Sequence, residues 1–164
     1  ERLGMRCFET QGGLSDLMRL DQPVLLKLSS AGGKEYAATL TALNRETATL
    51  SVNGSEQHVL LSELAQSWFG LYVVAWRTLP GVDGKLAVGE RGKGVTWLRQ
   101  AMSSIDGIPD NGSDFYDTAL EKRVRAFQLA DGIQPDGQVG ALTVIRLNVR
   151  HGDAVPRLAN KKQD

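Results

Sequence analysis

Few residues in this chain carry side chains able to do covalent chemistry. Cys7 is its single thiol, and His58 and His151 are its two imidazoles. A cysteine nucleophile needs a base beside it, itself oriented by a third group, and the two histidines are the bases on offer. One cysteine excludes an internal disulfide, a CxxC redox pair and a cysteine-rich zinc site. Histidines 93 residues apart, in no HExxH-type or HxxxD-type cluster, make no zinc site either. Asp114 with Asp117, and Asp110 with Asp131, could pass for paired carboxylates. All four sit in turns or at helix starts, where Asp is expected as a cap. No G-x-x-x-x-G-K-S/T phosphate loop occurs. The reading is of a chain with no catalytic residues, no metal site and no cofactor, the one enzymatic alternative being a Cys7–His58 dyad.

With 164 residues, 41% of them apolar and 23% charged, the chain has the composition of one globular domain or two small ones. Nineteen basic residues balance nineteen acidic ones, which counts against a general electrostatic nucleic-acid binder. No apolar run approaches the roughly 18 residues of a membrane span. The chain opens on Glu1-Arg2-Leu3, with neither an initiator Met nor an apolar signal segment, and reads as a piece of something longer.

Two periodicities divide it. Leu14, Leu17 and Met18 mark one face of a short helix over 14–20, broken at Asp21-Gln22-Pro23. Val24 to Leu28 reads as a buried strand, Tyr36 to Leu43 and Thr47 to Val52 as further strands. Asn53-Gly54 between alternating segments is a hairpin signal, with Gln57 to Leu61 as the partner strand. Ser62 starts a short helix, and Gly70 to Trp76 is an apolar last strand. From about Leu86 the period becomes helical. Val95, Leu98, Met102 and Ile105 form one stripe, Leu120, Val124 and Phe127 a second, and Val144, Ile145 and Leu147 end a third, shorter helix. Charge shifts too: residues 1–84 hold seven basic and nine acidic groups, residues 85–164 twelve and ten. The expected fold class is α+β: a small antiparallel β-rich domain over 1–84, a three-helix bundle over 85–150, and a flexible tail over 151–164.

Within the helical half, the Gly-rich turn and helix start Val88-Gly89-Glu90-Arg91-Gly92-Lys93-Gly94-Val95-Thr96-Trp97-Leu98 precede Val124-Arg125-Ala126-Phe127-Gln128. After these comes Gly132-Ile133-Gln134-Pro135-Asp136-Gly137-Gln138-Val139-Gly140, followed by Thr143 and Leu147. In this order and spacing, the three segments resemble the bacterial peptidoglycan-binding module. The β-rich half is similar, more faintly, to the later part of the papain-like bacteriocin-leader cysteine peptidase fold. Where that family has its His, this chain has Glu35; its Asp-Pro position falls near Val52-Asn53-Gly54, and Cys7 does not match its nucleophile. The resemblance therefore implies a degenerate, catalytically dead peptidase-like domain. The two halves in tandem resemble the periplasmic region of the general secretion pathway protein A family. That resemblance implies a periplasmic domain of a single-pass inner-membrane protein with a separate cytoplasmic ATPase. It also implies help in placing the outer-membrane secretin through the cell wall, with general secretion pathway protein B, and other copies of the chain, as partners.

A wall strand offers N-acetylated sugars and acidic stem peptides, which call for a shallow cleft with aromatic faces, amide partners and a few cations. The candidate peptidoglycan-binding residues are Tyr116, Arg125, Gln128, Arg146 and Asn148. Gln128 has two open readings, an amide bonded to the Asp136 loop or one facing ligand. Val124, Phe127, Asp136, Gly137, Gly140 and Thr143 form the structural motif: helix core, an Asp accepting turn N–H groups, and a Gly supplying positive φ. Trp97, one step off the first stripe, is read as a hinge contact packed against the β-rich domain, with ligand stacking as the alternative. The alternative function is a fragment of a cell-wall or leader-peptide cysteine hydrolase using Cys7 and His58. A DNA reader built on the three helices ranks last, because the bundle's cations are nearly cancelled by its acids.

Overall fold

In a computed structural model, the described residues are 5–79, 81–82, 84–152 and 156–158. Along them run β1 (Met5–Gln11), α1 (Leu14–Leu20), β2 (Val24–Ser29), β3 (Glu35–Leu43), β4 (Thr47–Val52) and β5 (Ser55–Leu60). Then follow α2 (Leu61–Ser67), β6 (Trp68–Arg77), α3 (Lys93–Asp106), α4 (Thr118–Ala130) and α5 (Ala141–His151). The class is α+β, an antiparallel sheet followed by a helical part, as expected.

The strands form one sheet in the order β1-β6-β2-β3-β4-β5. β2 pairs antiparallel with β3 and β6, β3 with β4, and β4 with β5. Val52 stands opposite Ser55 across the hairpin, and Asn53 and Gly54 carry φ of 49° and 83°, as a two-residue primed turn requires. The apolar run in β2 is not buried throughout. Val24, Leu26 and Leu28 are buried while Leu25 and Lys27 are exposed, so the strand covers a core on one face only. Leu17 and Leu20 of α1 and Leu64 of α2 contribute to the apolar interior of this part. β1 has no counterpart in the sequence reading; its residues Met5, Arg6 and Cys7 are exposed, so no apolar pattern marks it.

The chain divides into two compact units, one built on residues 7–75 and the other on 76–152 together with residues 5–6. The division falls nine residues before the expected boundary at 84, because Trp76, Leu79 and Val82 pack with the helical core. Residues 156–158 belong to the first unit. Leu158 is buried, its N–H donating to the Asp21 carbonyl at 3.2 Å, and Arg157 pairs with the Asp21 carboxylate at 2.9 Å. The expected flexible tail over 151–164 is thus corrected at both places that can be described, since His151 is the last residue of α5. Residues 153–155 and 159–164 lie outside the described residues.

In the helical unit the predicted stripes meet. Val95, Leu98 and Met102 of α3, Leu120, Val124 and Phe127 of α4, and Val144 and Leu147 of α5 form one buried cluster, with Tyr116 and Val139 completing it. Asp117 caps α4, its carboxylate accepting the Leu120 N–H at 2.7 Å. Gly92, at φ 119°, precedes α3, a backbone position open to Gly alone at low cost. Lone bridges Leu86–Val139 and Arg91–Phe115 tie the loops together.

Candidate functional site

Glu121, Arg125 and Gln128, on successive turns of α4, face the loop at 135–138. Asp136 accepts the Gln138 N–H at 2.8 Å, making the loop its own turn. Gly137 follows at φ 73°, and a Cβ there would stand 2.8 Å from Glu121 Cγ and 3.0 Å from Arg125 Nε. Gly137 is therefore fixed twice, by conformation and by space. At Gly140 a Cβ would meet only Lys85 methylenes at 3.6 Å or more, an ordinary contact.

Gln128 fills the centre of this corner. Its Oε1 accepts the Gly137 N–H at 2.9 Å, and the two hydrogens of its Nε2 are shared among Asp136 Oδ1 at 3.0 Å, the Gln138 carbonyl at 2.9 Å and Thr143 Oγ1 at 3.2 Å. Tyr116 reaches the same loop, its hydroxyl donating to the Gly137 carbonyl at 2.7 Å. Burial, with the Glu121 charge, pushes that hydroxyl far up, so it stays a donor. Burial also acts to raise the Asp136 carboxyl. The Gln138 N–H, the Gln128 amide and the charges of Lys85 and Arg125 outweigh it and hold the group below the usual carboxylate range. Of the two readings of Gln128, the structure has the amide bonded to the loop.

The five candidate ligand residues are not one face. Tyr116, Gln128, Arg146 and Asn148 are all buried, and Arg125 alone is at the surface. Burial at these four replaces the expectation of a shared exposed patch: their polar groups are turned inward. Arg146 and Arg150 flank Asp131, with N–O distances of 3.8 and 2.9 Å. Arg125 bonds Glu121 at 2.7 Å and donates to the Pro135 carbonyl, so it fastens the loop to α4. Trp97 packs against the helical core and meets His151 edge-on, with ring centroids 6.3 Å apart.

What the sequence reading missed is a groove of about 510 Å³ along α3, α4 and α5. Its floor is Met102, Ile105, Ile108, Ala126, Phe127 and Ala130. Lys122, Ala126 and Ala130 fall at i, i+4 and i+8 on one face of α4, all three exposed. Two small residues there leave the space. Ions stand at the edges: Arg123 grips Asp106 with bonds of 2.8 and 2.9 Å, and Arg150 holds Asp131. Burial acts to raise the Asp106 carboxyl, but the Arg123 hydrogen bond, the Ile108 N–H and the guanidinium charge outweigh it and keep it low. No apolar period marks the groove, since Ala126 and Ala130 leave space rather than fill it.

The enzymatic alternative fails on topology. Cys7 lies on β1 and His58 on β5, the opposite edges of the six-stranded sheet. Five strand spacings of about 4.8 Å place them some 24 Å apart, far beyond hydrogen-bond reach. His58 Nδ1 is instead 3.0 Å from Thr49 Oγ1 on the neighbouring strand. The four aspartates considered as pairs have structural partners: Asp114 pairs with Arg91, Asp117 with Leu120 N–H and Arg99, Asp131 with Arg150, and Asp110 with the Gly112 N–H.

Residues 91–147, the stretch that holds the Gln128 corner and most of the groove, match the family profile described as "Putative peptidoglycan binding domain". The β-rich unit lies outside that match, but a second comparison includes it. General secretion pathway protein A of Aeromonas hydrophila is 32% identical over 162 residues, 99% of this chain and 30% of that protein. Over nearly its whole length this chain is similar to general secretion pathway protein A. It spans under a third of that relative's length. Among solved structures, a periplasmic domain of the EpsAB fusion protein of the Vibrio vulnificus type II secretion system superposes with a TM-score of 0.60 and 22% identity. That overlap covers 90% of this chain and 64% of the other, and it shows a shared fold. The relation to general secretion pathway protein A thus takes in both units. No helix among the described residues is long and apolar enough to cross a membrane.

Proposed function

We propose that this chain is a non-catalytic, peptidoglycan-binding periplasmic segment of a type II secretion assembly factor. The observation that carries it is the tandem itself. A peptidoglycan-binding module over 91–147 sits inside an alignment to general secretion pathway protein A that runs through nearly the whole chain. In this reading the segment holds cell-wall polymer while the outer-membrane secretin is placed through it, and the β-rich unit is a degenerate peptidase-like domain. The longer protein would carry a single inner-membrane span and a cytoplasmic ATPase. General secretion pathway protein B is the proposed partner, in keeping with the fused A and B parts named in the Vibrio relative. Copies of the chain bound to one repeating polymer would gain affinity through multivalency.

The binding surface we assign is the α3–α4–α5 groove rather than the five residues named from the sequence. Co-sedimentation of the chain with purified insoluble peptidoglycan tests this, run beside Ala126→Leu and Arg125→Ala. Ala126 is exposed and Leu is a good helix former, so the first variant fills the groove without cost to the fold. Wild type and Arg125→Ala should pellet with the wall, and Ala126→Leu should stay in the supernatant. A wild type that does not pellet refutes the function, and an Ala126→Leu protein that pellets fully refutes the site.

A further inference from the structure

A wall polymer is two ligands in one, a neutral glycan and an acidic peptide, and the groove is suited to only one of them. A pyranose ring is held by laying its C–H face on an exposed aromatic plane and bonding its hydroxyls to amides. Among the described residues, the groove's one ring, Phe127, is 7% exposed and committed to the core, and no Asn or Gln lines the cavity. Its floor is otherwise aliphatic, a surface for methyl and methylene groups. At the edge, Lys122, Arg123 and Arg150 face Asp106 and Asp131, an excess of one positive charge. Arg123 and Arg150 are bonded to those aspartates, whereas Lys122 has no ion pair among the described residues. An incoming carboxylate can therefore be paired without breaking an existing bridge. About 510 Å³ lies within the roughly 300–1,000 Å³ of small-ligand sites, room for a short peptide and not for a disaccharide repeat with its peptide.

We infer that the groove receives the acidic stem peptide of peptidoglycan, its small side chains on Ala126 and Ala130 and a peptide carboxylate on Lys122, with the glycan left outside. This assignment rests on the peptidoglycan-binding reading above. The test is an NMR titration of the whole chain with two probes: a synthetic stem tetrapeptide, L-Ala-γ-D-Glu-diaminopimelate-D-Ala, and chitotetraose as a peptide-free glycan. Each probe is then used as a competitor in the sacculus pull-down. The tetrapeptide should shift the amides of Ile108, Lys122 and Ala126 and release the chain from sacculi, and chitotetraose should do neither. Lys122→Glu should weaken tetrapeptide binding about fivefold, the scale of reversing one exposed charge pair, and Lys122→Arg should restore it. Groove shifts with chitotetraose alone would overturn the assignment while leaving wall binding intact. So would sacculus binding that neither probe shifts or competes. If the chain binds no sacculi at all, the wall-binding reading fails, and this assignment falls with it.

Discussion

Removing the Gln128 side chain strips the Gly137 N–H of its acceptor and Asp136 and Thr143 of a donor, all inside the bundle. Unsatisfied buried groups cost about 1–3 kcal/mol each. Gln128→Ala should therefore lower unfolding stability by about 2–4 kcal/mol, read from urea midpoints, yet leave sacculus binding unchanged below the transition. Loss of binding by a protein still folded would put the amide back at a ligand surface. Three aspartates of the same unit set its acid sensitivity. Asp106, Asp117 and Asp136 are all held below the ordinary carboxylate value, Asp117 chiefly by the Leu120 N–H with Arg99 assisting. A depressed folded-state pKa gives stability that is present above the unfolded value, about 3.9, and lost as pH falls through the folded one. Melting temperature should thus change little through these groups between pH 5 and 8 and drop below about pH 4. Asp117→Asn should flatten part of that drop; an unaltered acid profile would count against the assignment. Motif positions such as Asp136 and Gly137 were legible because turn chemistry is local. The fate of Gln128 was not, since its partners lie eight to fifteen residues away in the chain.

Cys7 and His58 show what element order adds to residue types. A thiol and an imidazole in one small domain invite a dyad, and the sheet order alone separates them by its full width. His58→Ala should leave the rate of Cys7 alkylation by iodoacetamide unchanged at pH 7. A severalfold slowing would mean that the two edges meet. The elements themselves were mostly readable. The helix over 14–20 matches at both ends, and the three later stripes each became a helix, because apolar spacing at 3.6 residues is set by the face that must be buried. β1 escaped because Met5-Arg6-Cys7-Phe8-Glu9-Thr10-Gln11 joins the sheet at its edge, where backbone pairing needs no alternating apolar face. The groove escaped for the opposite reason. It is made by side chains that are small, Ala126 and Ala130, and a missing volume leaves no period to count.

At the scale of the whole molecule, the helical unit has an interior of its own. The helical cluster draws its buried members from residues 79–147, with Trp76 and Val82 packed against it, and every residue lining the groove lies between 102 and 150. The sequence boundary at 84 followed the Gly/Pro composition of the connecting stretch. The structural one follows where Trp76 and Leu79 find apolar neighbours, which composition does not record. If wall recognition belongs to the groove, nothing in residues 7–75 is required for it. A protein of residues 76–152 should then fold with a cooperative thermal transition and pellet with peptidoglycan as the full chain does, at equal molar concentration. A protein of residues 7–75 should not pellet. Equal pelleting by the helical piece would assign the wall contact to one unit and leave the β-rich unit free for protein partners. A folded helical piece that stays in solution would instead show that wall binding needs residues outside it, and the assignment of the groove would have to be abandoned.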